Sequence, residues 1–164
     1  GERTPNVAPA TPIYVGFSLA DFTPAVLCRA VLEGHIQNLY AGFKRLPTEP
    51  KEIRLTGGLS HSESWCQAIA DIFNTETVPV EGEGAALGAA LHAAWVWDIE
   101  NNGNKSLQEI SEPYIKLNNT LRKKPNIAAR QIYDAQSDSF YQLSTNLRSN
   151  NNAFFKKHFS LRNH

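Results

Sequence analysis

Two adjacent glycines, Gly57 and Gly58, follow the stretch Ile53-Arg54-Leu55-Thr56, which reads as a strand, and lead into an amphipathic stretch a few residues later. A strand that ends in paired glycines and opens into a helix offers bare backbone to an anion. Glycine accepts positive φ and lets a phosphate approach where a Cβ would block it, while the unpaired N–H groups of the following helix face the ligand. Gly57 and Gly58 are therefore candidates for a nucleotide seat, with Ser60 and Ser62 adding hydroxyls. The same residues also describe a tight strand-to-helix turn in which glycine serves geometry alone, and the pair by itself does not choose between the two.

Phosphoryl transfer further requires a carboxylate to orient or deprotonate the attacking hydroxyl, and carboxylates to hold magnesium. The aspartates are Asp21, Asp71, Asp98, Asp134 and Asp138; the last four fall within or at the ends of helical patterns, and Asp21 lies in a loop before a helix. They assemble into no catalytic centre, and the chain has neither a GxxxxGK[ST] phosphate loop nor a GxSxG elbow. His35, His61, His92, His158 and His164 match no zinc spacing, so no metal site is expected. Cys28 and Cys66 sit in apolar helical patterns without companions at ligand spacing, which predicts buried, inert thiols in a reducing compartment.

The elements that must position the glycine pair follow from periodicity. Residues 1–12 carry three prolines and no period, which predicts an extended segment, and Ile13 to Phe17 predicts a short strand. Thr23-Pro24 supplies a cap and a first-turn proline for a long helix with Val26, Leu27, Ala30, Val31, Gly34, Ile36, Leu39, Tyr40 and Phe43 on its buried face, ending before Pro47. Ile53 to Thr56 predicts a strand. Ser60 and Glu63 have capping-box spacing for the next helix, with Trp65, Ile69, Ile72 and Phe73 as its apolar stripe. Thr77 to Val80 predicts a second strand, with Pro79 at an edge or strand end. The alanine-rich stretch from Glu83 to Trp97 is strongly helical, and Gly84 with Gly88, Ala85 with Ala89 and Ala86 with Ala90 flatten two adjacent faces. Flat faces favour close packing, which would bring this helix beside the Gly57-Gly58 turn. Leu107 to Ile110 predicts a helical turn. Ile127 to Phe159 predicts a last long helix, or two, with Ile132, Ala135, Phe140, Leu143 and Leu147 buried and a fray or break at Ser149 to Asn152.

Composition bounds the function classes. The 164 residues, 41% hydrophobic and 20% charged, suit one globular domain rather than a disordered tail. Sixteen basic residues balance sixteen acidic ones, which argues against binding of a nucleic acid backbone or an anionic membrane. No apolar run is long enough to span a bilayer, and the polar, proline-rich start is no secretory signal, so a cytoplasmic location is expected. The chain contains no methionine, so residue 1 is read as a terminus made by processing or truncation.

Taken in order, these segments resemble the C-terminal half of carbohydrate kinases of the FGGY family, and its xylulose kinases in particular. The likeness is carried by Gly1 to Asn6 (GERTPN), Phe17-Ser18-Leu19, Ala30 to Gly34, IRLTGG at 53–58, Trp65 through Asp71, Glu83 to Trp95 (EGAALGAALHAAW) and Tyr114 to Pro125. The resemblance implies an α/β, ribonuclease H-like (actin-like ATPase) domain with a mixed sheet flanked by helices, here a C-terminal fragment spanning 1–164. Residues 1–12 would be an extended interdomain segment and 126–164 a C-terminal helical tail. It implies ATP and Mg2+ as cofactors, with ATP in a cleft between two such domains and Gly57, Gly58, Leu59 and Ser62 in the adenine nucleotide site. The family's catalytic aspartate and most sugar contacts would lie upstream of this chain, leaving it without catalytic or metal-binding residues and inactive alone. The intact protein would phosphorylate D-xylulose; other sugars or polyols of the family (glycerol, gluconate, ribulose) and a non-catalytic nucleotide-binding module are the alternatives. A homodimer is also allowed, because a half-enzyme exposes apolar surface. Leu59 departs from the pattern, since many relatives carry a third small residue there.

Overall fold

The computed structural model describes residues 13–82 and 84–146 in full, and residues 2–3, 6–7 and 147–159 as backbone alone. The chain divides into two compact units, one made of Gly1–Pro47 with Gln131–His164, the other of Thr48–Arg130. In chain order the elements are β1 (Glu2–Arg3), β2 (Asn6–Val7), α1 (Pro24–Phe43), β3 (Ile53–Leu55), α2 (Glu63–Phe73), β4 (Thr77–Pro79), α3 (Gly84–Glu100), α4 (Leu107–Ser111) and α5 (Ile127–Phe159). Single turns of 3-10 helix occur at Gly58–His61, Glu112–Tyr114 and Asn119–Leu121.

The unit Thr48–Arg130 is built on β3, α2 and β4. The two strands pair in parallel, Ile53 with Thr77, Arg54 with Val78 and Leu55 with Pro79. Parallel strands cannot be joined by a hairpin, and α2 is the crossover between them. Its inner face (Cys66, Ala68, Ile69, Ala70, Ile72) is buried, as are Thr77, Val78 and Pro79 of β4. Thr77 satisfies its buried hydroxyl by donating to the Cys66 carbonyl at 3.0 Å. Asn74 ends α2 in the left-handed conformation (φ 51°, ψ 40°), one that asparagine tolerates better than most side chains. Antiparallel bridges join Thr77 to Lys123 and Val80 to Leu117 on the other edge of β4, so the small sheet is mixed, as expected.

Polar contacts tie the later segments of this unit to its core. The Asp71 carboxylate, 3% exposed, accepts from Gln67 Nε2 at 2.8 Å and from the Asn126 backbone N–H at 2.7 Å. Asn126 Oδ1 in turn accepts from the N–H groups of Ala128 and Ala129, which caps the start of α5. Arg122 bridges Glu52, at 2.7 Å, and Glu76. Helix α3 buries Leu91, with Gly84, Leu87 and Trp95 half-buried, whereas Ala85, Ala86, Ala89, Ala90 and Gly88 are exposed. Close packing of both flat faces is therefore corrected: of the small residues on those faces, Gly84 is half-buried and in close contact with Thr56, and the others are exposed. Glu83 lies outside the described residues. The capping box occurs at the start of α4, between Ser106 and Glu109, and not at Ser60 and Glu63.

In the other unit α1 begins as expected, with Thr23 Oγ1 accepting from the Val26 N–H at 3.4 Å and Pro24 in the first turn. Its buried face is narrower than the sequence predicts: Ile36 and Gln37 are buried, while Val26, Val31 and Leu39 are exposed. Cys28 is exposed, which corrects the expectation of two buried thiols; Cys66 is the buried one. Tyr133 of α5, 6% exposed, donates to Glu33 at 2.8 Å and accepts from Arg29 Nη2 at 2.9 Å. Burial, reinforced by the bond to Glu33, raises its hydroxyl above the ordinary tyrosine value of 10.0.

Three further expectations for this unit change. Ile13–Phe17 is not a strand; Gly16 at φ 84° breaks the extended run, and Tyr14, Phe17 and Phe22 gather as aromatic pairs with centroids 6.3 and 5.9 Å apart. β1 and β2 pair antiparallel, Glu2 opposite Val7 and Arg3 opposite Asn6, so the start of the 1–12 segment doubles back; its other residues lie outside the described ones. Helix α5 is continuous through 149–152, and its inward face carries Tyr133, Ser137, Phe140 and Ser144 while Ile132, Ala135 and Leu143 are exposed. The side chain of Leu147 lies outside the described residues.

Candidate functional site

The Gly57-Gly58 pair sits at the carboxyl end of β3, immediately before α2. In parallel α/β arrangements this end of a strand is where ligands bind, because successive chain reversals leave a crevice there. The two glycines differ. Gly57 has φ 89° and ψ 179°, a region that only glycine occupies readily. Gly58 has no positive φ, and a Cβ built on it would meet nothing within 4 Å. Backbone geometry thus accounts for Gly57 and leaves Gly58 without a structural requirement.

Hydrogen bonds fix the shape of the turn. The Gly57 carbonyl accepts from the Ser60 N–H at 3.0 Å and from Ser60 Oγ at 2.7 Å. Ser62 N–H donates to the Leu59 carbonyl at 3.0 Å, and Cys66 Sγ donates to the Ser60 carbonyl at 3.3 Å. The turn therefore directs carbonyls into its own bonds and leaves Gly58 and Leu59 at its leading end, where N–H groups have no partner one turn earlier. Gly57, Gly58 and Leu59 are exposed. Burial pushes the Cys66 thiol above its ordinary range, consistent with an inert role inside the unit.

Of the two hydroxyls that the sequence places here, Ser60 is 2% exposed and committed to the Gly57 carbonyl, so it offers nothing outward. Ser62 is the N-cap of α2: its Oγ accepts from the Trp65 N–H at 3.3 Å and retains its own proton for donation. The capping expectation at Ser60 fails because a 3-10 turn separates that residue from the helix. Gly57, Gly58, Leu59 and Ser62 accordingly share one turn, in which Ser62 is half-buried and the Leu59 residue is 59% exposed beside the exposed glycines.

A residue that the sequence reading passed over is Thr56. A Cβ on Gly84 would lie 2.0 Å from Thr56 Oγ1 and 2.8 Å from its Cβ, so the first residue of α3 rests directly against the residue before the glycine pair. Gly88, the other glycine of the flat face, has nothing within 4 Å. The Gly84–Gly88 spacing carried the signal, although it could not say which glycine is in contact.

Three of the aspartates are engaged elsewhere. Asp71 holds Gln67 and Asn126, Asp98 accepts from the Lys105 N–H at 3.2 Å, and Asp21 accepts from Ser18 Oγ at 2.5 Å. Among the described residues no group of three or more His, Cys, Asp or Glu could hold a metal ion. Two open grooves, one lined by Gln37, Lys44 and Tyr141 and the other by Arg54, Gln108 and Leu117, include no residue of the Gly57–Ser62 turn. No helix among the described residues is long and apolar enough to cross a membrane.

Residues 1–97 match the FGGY family of carbohydrate kinases, C-terminal domain. The chain is 34% identical over 137 residues to the xylulose kinase of Haemophilus influenzae, covering 81% of this chain and 27% of that protein. It is 39% identical over 98 residues to the gluconokinase of Bacillus licheniformis, covering 56% of this chain and 19% of that protein. The structure superposes on the ligand-bound xylulose kinase from Lactobacillus acidophilus with a TM-score of 0.70 and 25% identity, over 90% of this chain and 29% of that one. The chain thus spans only 19–29% of the length of these relatives.

Proposed function

Because this chain belongs to the FGGY family of carbohydrate kinases as a C-terminal domain, we propose that its Gly57–Ser62 turn forms part of the ATP site of a sugar kinase. The observation that carries the reading is Gly58: exposed, at an ordinary backbone conformation, and with no neighbour that a Cβ would disturb. A glycine that neither conformation nor packing requires is explained by a ligand that must approach its backbone. In the proposed site Gly57 sets the turn, the amides of Gly58 and Leu59 face the nucleotide, and Ser62 donates its hydroxyl. Leu59 supplies an apolar wall.

ATP fits this turn through its open backbone and the free proton of Ser62. When bound, it supplies the γ-phosphoryl group; the residues described here bind and orient rather than move protons. No described residue is assigned to magnesium, and no aspartate of this chain to catalysis. Residues 1–12 are proposed as an interdomain segment and residues 126–164 as a C-terminal helical tail of one domain spanning 1–164. For the intact protein we propose transfer from ATP to a ketose, D-xylulose giving D-xylulose 5-phosphate, in the cytoplasm, with a homodimer as its assembly. Support for the sugar lies in the xylulose kinase relatives. The gluconokinase likeness makes gluconate the competing substrate.

The test is an NMR titration of this chain with magnesium-ADP, following the amides from Thr56 to Ser64. Saturable shifts centred on Gly57 and Gly58 are expected, and their absence refutes the assignment of the turn. Steady-state assays of the intact protein decide the sugar: faster turnover of gluconate or glycerol than of D-xylulose overturns that part while sparing the family.

A further inference from the structure

Helix propensity and packing make opposite demands at Gly84. Alanine is the better helix former, and the stretch that follows Gly84, the first residue of α3, is rich in it. Yet a Cβ at this position would lie 2.0 Å from Thr56 Oγ1, 2.8 Å from Thr56 Cβ and 3.3 Å from Thr56 Cγ2. Rotation about χ1 moves Oγ1 and Cγ2 but leaves Cβ in place, and threonine is stiff there in any case. Relief of the 2.8 Å overlap therefore requires the backbone at Thr56 or the start of α3 to move. Gly57 and Gly58 follow Thr56 directly, so any such movement is passed to the turn. Gly58, Gly82 and Gly88 meet nothing within 4 Å, and the other tightly packed glycine, Gly103, lies against the Asp98 carboxylate and not against the turn.

We infer that Thr56 and Gly84 are a matched spacer, one filling the room that the other leaves, and that together they position the Gly57–Gly58 turn for nucleotide without touching it. The inference rests on the assignment of that turn to nucleotide. Thr56 and Gly84 are positioning residues. Overfilling the contact and emptying it should both displace the turn, and doing both at once should largely restore it, because an alanine methyl at position 84 then occupies the volume vacated by the threonine side chain.

The experiment is a double-mutant cycle of Gly84→Ala, Thr56→Gly and the combined variant, each read by the amide shifts of Gly57 and Gly58 without nucleotide and by magnesium-ADP affinity. Each single variant is expected to move the two amide signals and to weaken affinity by about ten-fold, the scale of one lost hydrogen bond to a charged group. The combined variant should recover most of both, a non-additivity that separate structural damage would not produce. A folded Gly84→Ala with unchanged shifts and affinity overturns the inference, as does a combined variant at least as weak as the worse single one. Should Gly84→Ala not fold, Thr56→Gly decides: unchanged affinity there refutes the spacer. If the unaltered chain shows no saturable binding, the nucleotide assignment itself has failed, and that is known before any variant is compared.

Discussion

Gly57→Ala and Gly58→Val alter neighbouring residues of one turn and should affect different properties. At Gly57, φ 89° with ψ 179° is closed to side chains, so alanine must either adopt a strained conformation or rearrange the turn. That costs about 1–3 kcal/mol, which in a chain of this size lowers Tm by roughly 2–4 °C per kcal/mol. At Gly58 an added Cβ meets open space, the residue is exposed and the backbone is ordinary, so the stability change should be smaller than at Gly57, about 1 kcal/mol or less. The same side chain would stand where a phosphate or ribose must approach. Loss of one hydrogen bond to a charged group is worth about 1.5–3 kcal/mol, so affinity for magnesium-ADP should fall by about ten-fold to a hundred-fold. Thermal melts by circular dichroism and the amide titration measure the two quantities separately. A Gly58→Val chain that melts several degrees lower and keeps its affinity would refute the reasoning, because it would make the pair a purely geometric turn.

Ser62→Ala removes the N-cap of α2 and should destabilise the unit by about 1 kcal/mol, seen as a lower denaturant midpoint with unchanged slope. Hydrogen bonds from Arg122, then from Arg54, hold the Glu52 carboxyl below its ordinary value of 4.5, so its share of stability is complete above that pH and is lost as pH falls through the lowered value. Acid titration of the melting temperature should therefore show a shallower fall for Glu52→Gln than for the unaltered chain, and the difference should shrink in high salt because the pair is partly exposed.

Local chemistry was the legible part of this fold. Thr23-Pro24 announces α1 because a cap and a first-turn proline act within a few residues, and the strand-glycine-helix order at 53–73 follows from residues adjacent in the chain. The flanks of α5 at Ile127 and Phe159 were likewise readable. What failed depends on partners distant in sequence. On α5 the aliphatic residues Ile132 and Leu143 suggested one buried face, but the buried position went to Tyr133, whose hydroxyl finds Arg29 and Glu33 about a hundred residues earlier. The site shows the same division. Its glycines were visible because their special property is local, whereas the Thr56–Gly84 contact joins residues from separate elements and left only the Gly84–Gly88 spacing as a trace. Ser60 and Glu63 had capping-box spacing, but a 3-10 turn was inserted where the pattern expected helix.

The segment Lys116–Lys123 lies along the outer edge of β4: Glu81 N–H donates to the Lys116 carbonyl at 2.8 Å, Asn118 N–H to the Pro79 carbonyl at 2.8 Å, and Thr77 and Lys123 exchange both of their bonds at 2.9 Å. That edge belongs to a strand completed at Pro79, yet the residues that cover it are made some forty positions later. During synthesis, β4 must therefore wait, its hydrogen-bonding groups open to any other extended chain, until the covering segment leaves the ribosome. The interval is a few seconds at ordinary elongation rates of about 5–20 residues per second. Pro79 shortens the hazard by removing one donor from the open edge, and Lys116, Arg122, Lys123 and Lys124 make the cover itself a poor template for further strand pairing. The vulnerable period of this domain is thus set by the order in which its residues are made.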